Sequence, residues 1–167
     1  MWCNREVADR RRDHEIRGRG LVRLRPADED DLELLAGWFG DPSFIDHWGQ
    51  TPLTRQEVAA KYIGRRRPDV ESFIILAGGV PIGYIQYWLA GKTEGGIDLI
   101  LDPRRRGRGH GPDAADALAN HLLRDLHWTR VTADPAATDA RAVRAWEKAG
   151  FHRVGQDGDA LVMERRS

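Results

Sequence analysis

Asp102-Pro103-Arg104-Arg105-Arg106-Gly107-Arg108-Gly109-His110-Gly111 is the stretch whose reading decides the fold. An apolar run, Ile97 to Leu101, precedes it and reads as a strand; an Ala/Leu-rich run, Ala114 to Leu126, follows it and reads as a helix. A strand, a glycine-rich arginine loop and a helix start, in that order, make an anion site. Glycines let the backbone approach a phosphate and aim several N–H groups at it. The helix N-terminus adds free donors and partial positive charge. A basic, solvated loop is the plainer reading of the same residues. The run is not a P-loop, because no Gly-Lys-Ser/Thr follows, and its glycine spacing is too short for a dinucleotide fingerprint.

The flanks extend the pattern. Upstream, Leu21 to Arg25 alternates like a half-buried strand, and Ala27 to Phe39 reads as a helix with Asp28 to Asp31 in its first turn. Thr54 with Glu57 makes a capping box for a helix running to about Arg67. Ser72 to Ala77 and Val80 to Leu89 read as strands joined by a Gly78-Gly79 hairpin turn, and Gly91 to Gly96 as a loop. Downstream come a short strand, Arg130 to Ala133, and a helix, Asp139 to Ala149, stopped by Gly150. Strands Phe151 to Val154 and Leu161 to Glu164 flank a polar turn at Gln156 to Asp159. The prediction is an α/β chain with a mixed, mostly antiparallel sheet and helices on its faces.

Composition narrows the function classes. The chain has 167 residues, enough for one domain with a real core. Lys plus Arg and Asp plus Glu both number 26, so no net charge draws the protein to nucleic acid or membrane. No apolar run reaches membrane-spanning length and no signal-peptide core is seen, which predicts a cytoplasmic protein. The lone Cys3 excludes an intramolecular disulfide framework, and the histidines lack zinc-site spacing, so no metal is expected. Residues 1–20 carry six arginines among four acids with little apolar periodicity, and read as a flexible basic extension ahead of a domain spanning 21–167.

Arg106-x-x-Gly109-x-Gly111 resembles the pyrophosphate-binding motif of the GNAT acyltransferases. Asp139-Ala140-Arg141-Ala142-Val143-Arg144-Ala145-Trp146-Glu147-Lys148-Ala149-Gly150-Phe151 resembles that family's Asn-x-x-Ala-x-x-x-Tyr-Glu-Lys-x-Gly-Phe segment. Gly83 to Tyr87, Gly96-Ile97-Asp98, Asp134-Pro135, Asp157-Gly158 and Phe44 to Gly49 resemble segments of aminoglycoside 6'-N-acetyltransferases. The resemblance implies a GNAT fold with a splayed strand pair and acetyl-CoA as cosubstrate. It implies a small polycationic amine as acceptor, with no nucleic-acid or membrane partner and either a monomer or a homodimer. Siderophore-type lysine N-acyltransferases share several of these segments. A non-catalytic acyl-CoA sensor or interaction module is the alternative from another class.

Acyl transfer to an amine needs a held thioester, a neutral amine, oxyanion donors and a route for thiolate release. Arg106, Gly107, Arg108, Gly109, His110 and Gly111 are the candidate pyrophosphate ligands. The oxyanion donor is expected on the splayed strand, at the Ile100 N–H. Asp98, a charge inside an apolar strand, is the candidate base and amine anchor; an outward-facing strand residue is the plainer reading. The resemblance adds Asp134 and Asp157 as further acids of the substrate pocket, and each also reads as a turn residue. Trp48, Trp88 and Tyr84 are the candidate substrate walls, and Tyr84 or Tyr87 could also serve as acid to the leaving thiolate. Two positions depart from the family. Trp146 replaces the Tyr expected to protonate the leaving thiolate, and indole is no practical acid. Asp139 replaces an Asn that would contact the cofactor, and it reads equally as a helix cap.

Overall fold

A computed structural model describes residues 14–48 and 51–167. Eight strands form one sheet in the order β1-β2-β3-β4-β5-β6-β8-β7. They are β1 (Ile16–Arg17), β2 (Val22–Pro26), β3 (Val70–Ala77), β4 (Val80–Leu89), β5 (Glu94–Leu101), β6 (Arg130–Ala133), β7 (His152–Asp157) and β8 (Ala160–Arg166). The helices are α1 (Leu32–Phe39), α2 (Pro42–Ile45), α3 (Arg55–Tyr62), α4 (His110–Asn120) and α5 (Ala140–Lys148). All strand pairs are antiparallel except β5 with β6.

That parallel pair spans only Glu94–Gly96 against Arg130–Thr132. From Ile97 onward β5 keeps β4 on one side and has no strand on the other among the described residues. The sheet is therefore splayed between β5 and β6, with an open backbone edge in the gap.

Alternation sends side chains to two cores. Phe73, Ile75, Ile97 and Leu101 pack with α4 residues such as Leu118 and with Val131 and Met163. Ile74, Tyr84 and Ile100 pack on the other face beneath α1, α2 and α3. There Phe39 stacks on Tyr62 at 4.2 Å, and Tyr84 stands edge-on to both rings at 5.5 and 5.0 Å. Aromatic pairs of this geometry add roughly 0.5–1.5 kcal/mol each beyond area burial.

Several boundaries differ from the sequence reading, for local reasons. The first helix starts at Leu32, because a 3-10 turn at Glu29–Asp31 with an Asp28–Asp31 capping box precedes it. The second helix ends at Tyr62, just before Gly64 in the left-handed region. The short helix α2 and the 3-10 turn at Asp46–Trp48 carry no periodicity from which to read them. Gly95 and Gly96, read as loop, belong to β5. A Cβ on Gly95 would lie 1.8 Å from the Trp88 carbonyl oxygen, and one on Gly96 would lie 2.3 Å from the Trp88 ring. These glycines serve close approach rather than a turn.

The expected extension is partly structured. Its first thirteen residues lie outside the described ones, but Ile16 and Arg17 pair with Leu24 and Arg23. The Asp113 carboxylate, in the first turn of α4, accepts the Arg19 and Gly20 amides at 2.9 and 3.1 Å.

Candidate active site

The arginine loop sits where strand order and helix start place it. Asp102 caps a 3-10 turn at Pro103–Arg105 and pairs with Arg104, whose Nη2 lies 2.9 Å from Oδ2. That pair takes Arg104 out of the set of free cations. Gly107 (φ +75°) and Gly109 (φ +82°) hold left-handed backbone, and Gly109 is the N-cap of α4. A non-glycine residue is strained at both. His110, Gly111 and Pro112 form the first turn of the helix, four residues ahead of the Ala114 start read from the sequence. The Arg106 guanidinium donates to the Leu101 carbonyl at 3.1 Å. Burial pushes its pKa down, and the nearby Arg141 charge pushes it further. Arg141, in the first turn of α5, reaches the loop: its Nη2 is 3.3 Å from where a Gly107 Cβ would stand. Two guanidiniums and a helix N-terminus thus converge on one loop.

A cavity of about 480 Å³ opens beside the splay. Asp98 and Leu99 line it from β5, Gln86 from β4, and Tyr62 and Arg66 from α3 and the turn after it. Asp134, Asp139 and Trp146 line it from the segment after β6 and from α5, and Trp48 closes a side. Sequence positions far apart therefore meet at one point, and the open edge of β5 leads from Asp98 toward the loop.

Asp98 is half-buried, and burial is the largest influence on it, raising its carboxyl above the ordinary range. The Gln86 amide pulls the value back, with Nε2 donating to Oδ2 at 2.8 Å, while Asp134 adds to the rise. Burial likewise raises the Asp134 carboxyl. A carboxylate of raised proton affinity beside a cavity is suited to accept a proton.

Two expectations need correction. Ile100 does not offer its amide to the gap. Asp102 N–H donates to Ile82 O at 2.8 Å, and Ala90 N–H donates to Glu94 O at 2.9 Å, with an unshifted register between them. Along an antiparallel ladder the N–H direction alternates. Ile100, two residues from Asp102, therefore points its N–H at Tyr84 on β4. Leu99 points its N–H at the open edge and lines the cavity, whereas the Ile100 side chain is buried under the helices. Tyr84 is not a substrate wall either. It is 0% exposed, and its hydroxyl donates to Gln86 Oε1 at 2.8 Å, so it stands behind the wall.

Asp139 is the N-cap of α5, accepting the Ala142 amide at 3.0 Å, and also lines the cavity. Trp146 lines the cavity and packs edge-on against Phe151 at 5.0 Å. Asp157 is exposed on the β7–β8 hairpin and is not among the lining residues. The hairpin itself docks beside the cavity, through Leu161 N–H to Pro135 O and Ala137 N–H to Asp159 O, both 2.8 Å. The sequence alone does not single out Gln86, Arg66, Leu99 or Arg141. Gln86 had a readable signal, being an amide inside an apolar strand.

Among the described residues no group of three His, Cys, Asp or Glu side chains could hold a metal ion, and no helix is long and apolar enough to cross a membrane.

The family model for the Acetyltransferase (GNAT) domain matches residues 22–152. The chain is 32% identical over 163 residues to aminoglycoside N(6')-acetyltransferase type 1 of Klebsiella pneumoniae, covering 85% of this chain and 81% of that protein. Among solved structures it is similar to AAC(6')-Ib in complex with coenzyme A and kanamycin, with 29% identity and a TM-score of 0.78 over 87% of this chain and 94% of that one. The same enzyme with paromomycin and acetyl-CoA gives 29% identity and a TM-score of 0.79, over 87% and 93% of the two chains.

Proposed function

This chain belongs to the GNAT acetyltransferase family, and on that footing we propose that it moves the acetyl group of acetyl-CoA to an aminoglycoside amine, the 6'-amine. The observation that carries the proposal is the meeting of Asp98 and Asp134 on one cavity at the mouth of the strand splay. A cofactor binder without chemistry has no need of two carboxylates there; a polycationic acceptor does.

The residues divide the work. Amides of Gly107 to Gly111, the α4 N-terminus, Arg106 and Arg108 hold the pyrophosphate, and Arg141 faces the same anion. The open edge of β5 takes the pantetheine arm as an added strand would be taken. The Leu99 N–H donates to the thioester oxygen as negative charge develops on it. An alkylamine, with pKa around 10, arrives as ammonium. Asp98 pairs with it and takes its proton, directly or through water, so that the nitrogen lone pair attacks the carbonyl carbon. The C–S bond then breaks, coenzyme A leaves as thiolate, and the second proton of the former ammonium passes from the nitrogen to that thiolate or to solvent, leaving a neutral amide. A thiol pKa of about 8.5 makes that departure feasible without a side-chain acid, which is consistent with Trp146 at that place. Trp146 and Trp48 wall the reacting groups. Asp134 holds further positive charge of the sugar, and Asp157 adds attraction from the hairpin outside the lining. Residues 21–167, with β1 added at the sheet edge, form the working unit, acting in the cytoplasm, where acetyl-CoA is available.

Thiol release from acetyl-CoA, followed by mass spectrometry and NMR of the product, tests this. Kanamycin-type sugars with a 6'-amine are acetylated at that nitrogen, and 6'-hydroxyl analogues react poorly. Equal turnover of both, acetylation at another amine, or turnover confined to lysine derivatives with long acyl donors refutes the assignment. Binding of acetyl-CoA without turnover of any amine favours the sensor alternative.

A further inference from the structure

Polar side chains run in single file through the second core to the reactive carboxylate. Ser72 Oγ lies 2.6 Å from the Tyr84 hydroxyl, which donates to Gln86 Oε1 at 2.8 Å; Gln86 Nε2 donates to Asp98 Oδ2 at 2.8 Å. Arg66 Nη2 also donates to Gln86 Oε1, at 2.9 Å, and Arg66 is itself steadied by its Nε bond to the Lys61 carbonyl at 2.7 Å. Ser72, Tyr84 and Gln86 are 1%, 0% and 7% exposed.

The donor and acceptor inventory fixes the direction of this file. Arginine has only donors, and the single Tyr84 proton is spent on Gln86. Ser72 therefore donates to Tyr84, and Gln86 Oε1 receives two donors. Flipping the Gln86 amide would set its NH₂ group against Arg66, which has only donors. Its N–H must then face Asp98. An apolar core would not need this arrangement: Phe in place of Tyr84 would pack equally against Phe39 and Tyr62. A buried polar chain that is fully satisfied specifies one geometry, and here that geometry ends on the proton acceptor.

We propose that Gln86, clamped by Tyr84 and Arg66, is the positioning residue of Asp98: it fixes one carboxylate oxygen and so sets the plane in which the other meets the substrate amine. The inference rests on the reading of Asp98 as base. Other groups face the same carboxylate and must be held constant in any test. They are the Trp88 indole from β4, Asp134 from the segment after β6, and Tyr62 with Arg66 from α3 and the turn after it. Lys61 lines the same cavity.

The test is an NMR titration of the Asp98 side-chain carboxyl carbon in the full chain without ligands, for wild type, Gln86→Leu and Tyr84→Phe. Loss of a donor to a charged oxygen raises the Asp98 midpoint by about one pH unit in Gln86→Leu. Tyr84→Phe moves it the same way by less, because Arg66 still holds the amide. The acid limb of the kcat/KM profile moves with the midpoint. A purely structural role would change thermal stability and leave the titration alone. An unmoved midpoint in the folded variants overturns the proposal. Should Gln86→Leu fail to fold, Tyr84→Phe and Gln86→Met supply the same measurement. The titration is read without turnover, so a wild-type protein inactive on aminoglycosides defeats the functional reading and leaves this result legible by itself.

Discussion

Replacing Asp98 by Asn separates charge from shape, and the structure gives opposite signs for activity and stability. Asn keeps an oxygen for Gln86 Nε2, which donates to Oδ2 at 2.8 Å in the native protein. What disappears is the proton acceptor and the negative charge that pairs with ammonium. General-base contributions run from roughly 10² to 10⁴, or about 3 to 5 kcal/mol of barrier. Losing the ammonium pairing as well places the fall in kcat/KM toward the upper end. Burial raises the Asp98 carboxyl in the folded state. A group whose folded pKa lies above its unfolded value favours folding below the unfolded value, and that contribution is lost as pH rises through the folded one. At neutral pH the ionised carboxylate is thus a cost, which Asn removes. Asp98→Asn is expected to unfold at the wild-type temperature or a few degrees above it at pH 7, each 1 kcal/mol being worth about 2–4 °C in a chain of this size. The gap narrows in acid, as the wild-type carboxyl takes up its proton. Thiol-release kinetics with kanamycin and calorimetry at two pH values supply both readouts. A variant within tenfold of wild type in kcat/KM, or one melting several degrees lower at pH 7, refutes the reasoning.

Three further outcomes follow from the site. Gly109→Val puts a β-branched residue at φ +82°; a penalty of roughly 1–2 kcal/mol is expected, together with loss of the thermal shift that acetyl-CoA gives the wild type, read by differential scanning fluorimetry. Asp134→Asn raises KM for the sugar several-fold and leaves kcat nearly unchanged, because this residue supplies attraction rather than proton transfer; steady-state kinetics at low and high salt check it. Trp146→Phe keeps an edge contact with Phe151 but removes the indole N–H; kcat stays within about threefold if thiolate departure needs no acid at neutral pH, and a larger loss assigns that N–H to the sulfur.

What the sequence makes legible follows from how local each signal is. The glycine loop ahead of a helix start, the Gly78-Gly79 hairpin and the Asp139 cap are set by backbone chemistry within a few residues, and all three stand in the structure as read. Asp98 is conspicuous because a charge in an apolar strand is costly. Gly95 and Gly96 read as loop because the indole that demands those glycines lies on the neighbouring strand. The direction of the Ile100 amide is illegible for a similar reason. Which way an N–H points depends on ladder phase, fixed here at Asp102 and Ala90 rather than by anything in the strand itself. Tyr84 shows the same limit: strand alternation gives its face, but only the packing of α1 and α3 over that face tells that it is sealed from the cavity. Gln86 and Arg66 become meaningful together, and twenty residues separate them.

The β5–β6 junction has a bearing on how sequence variants are interpreted. Among the described residues, three ladder pairs and the Thr129 N–H to Thr93 O bond at 2.8 Å join the two halves of the sheet by backbone, whereas Leu118, Val131 and Met163 belong to a core continuous with Val22 and Leu24 across the seam. Side-chain packing, not the ladder, therefore sets the width of the slot. Substitutions such as Val131→Ala touch neither substrate, yet they alter the spacing on which cofactor capture depends. In a screen for drug susceptibility they would score as binding lesions at low acetyl-CoA and fade at saturation, and would be misfiled if variants were sorted by distance from the reacting atoms alone.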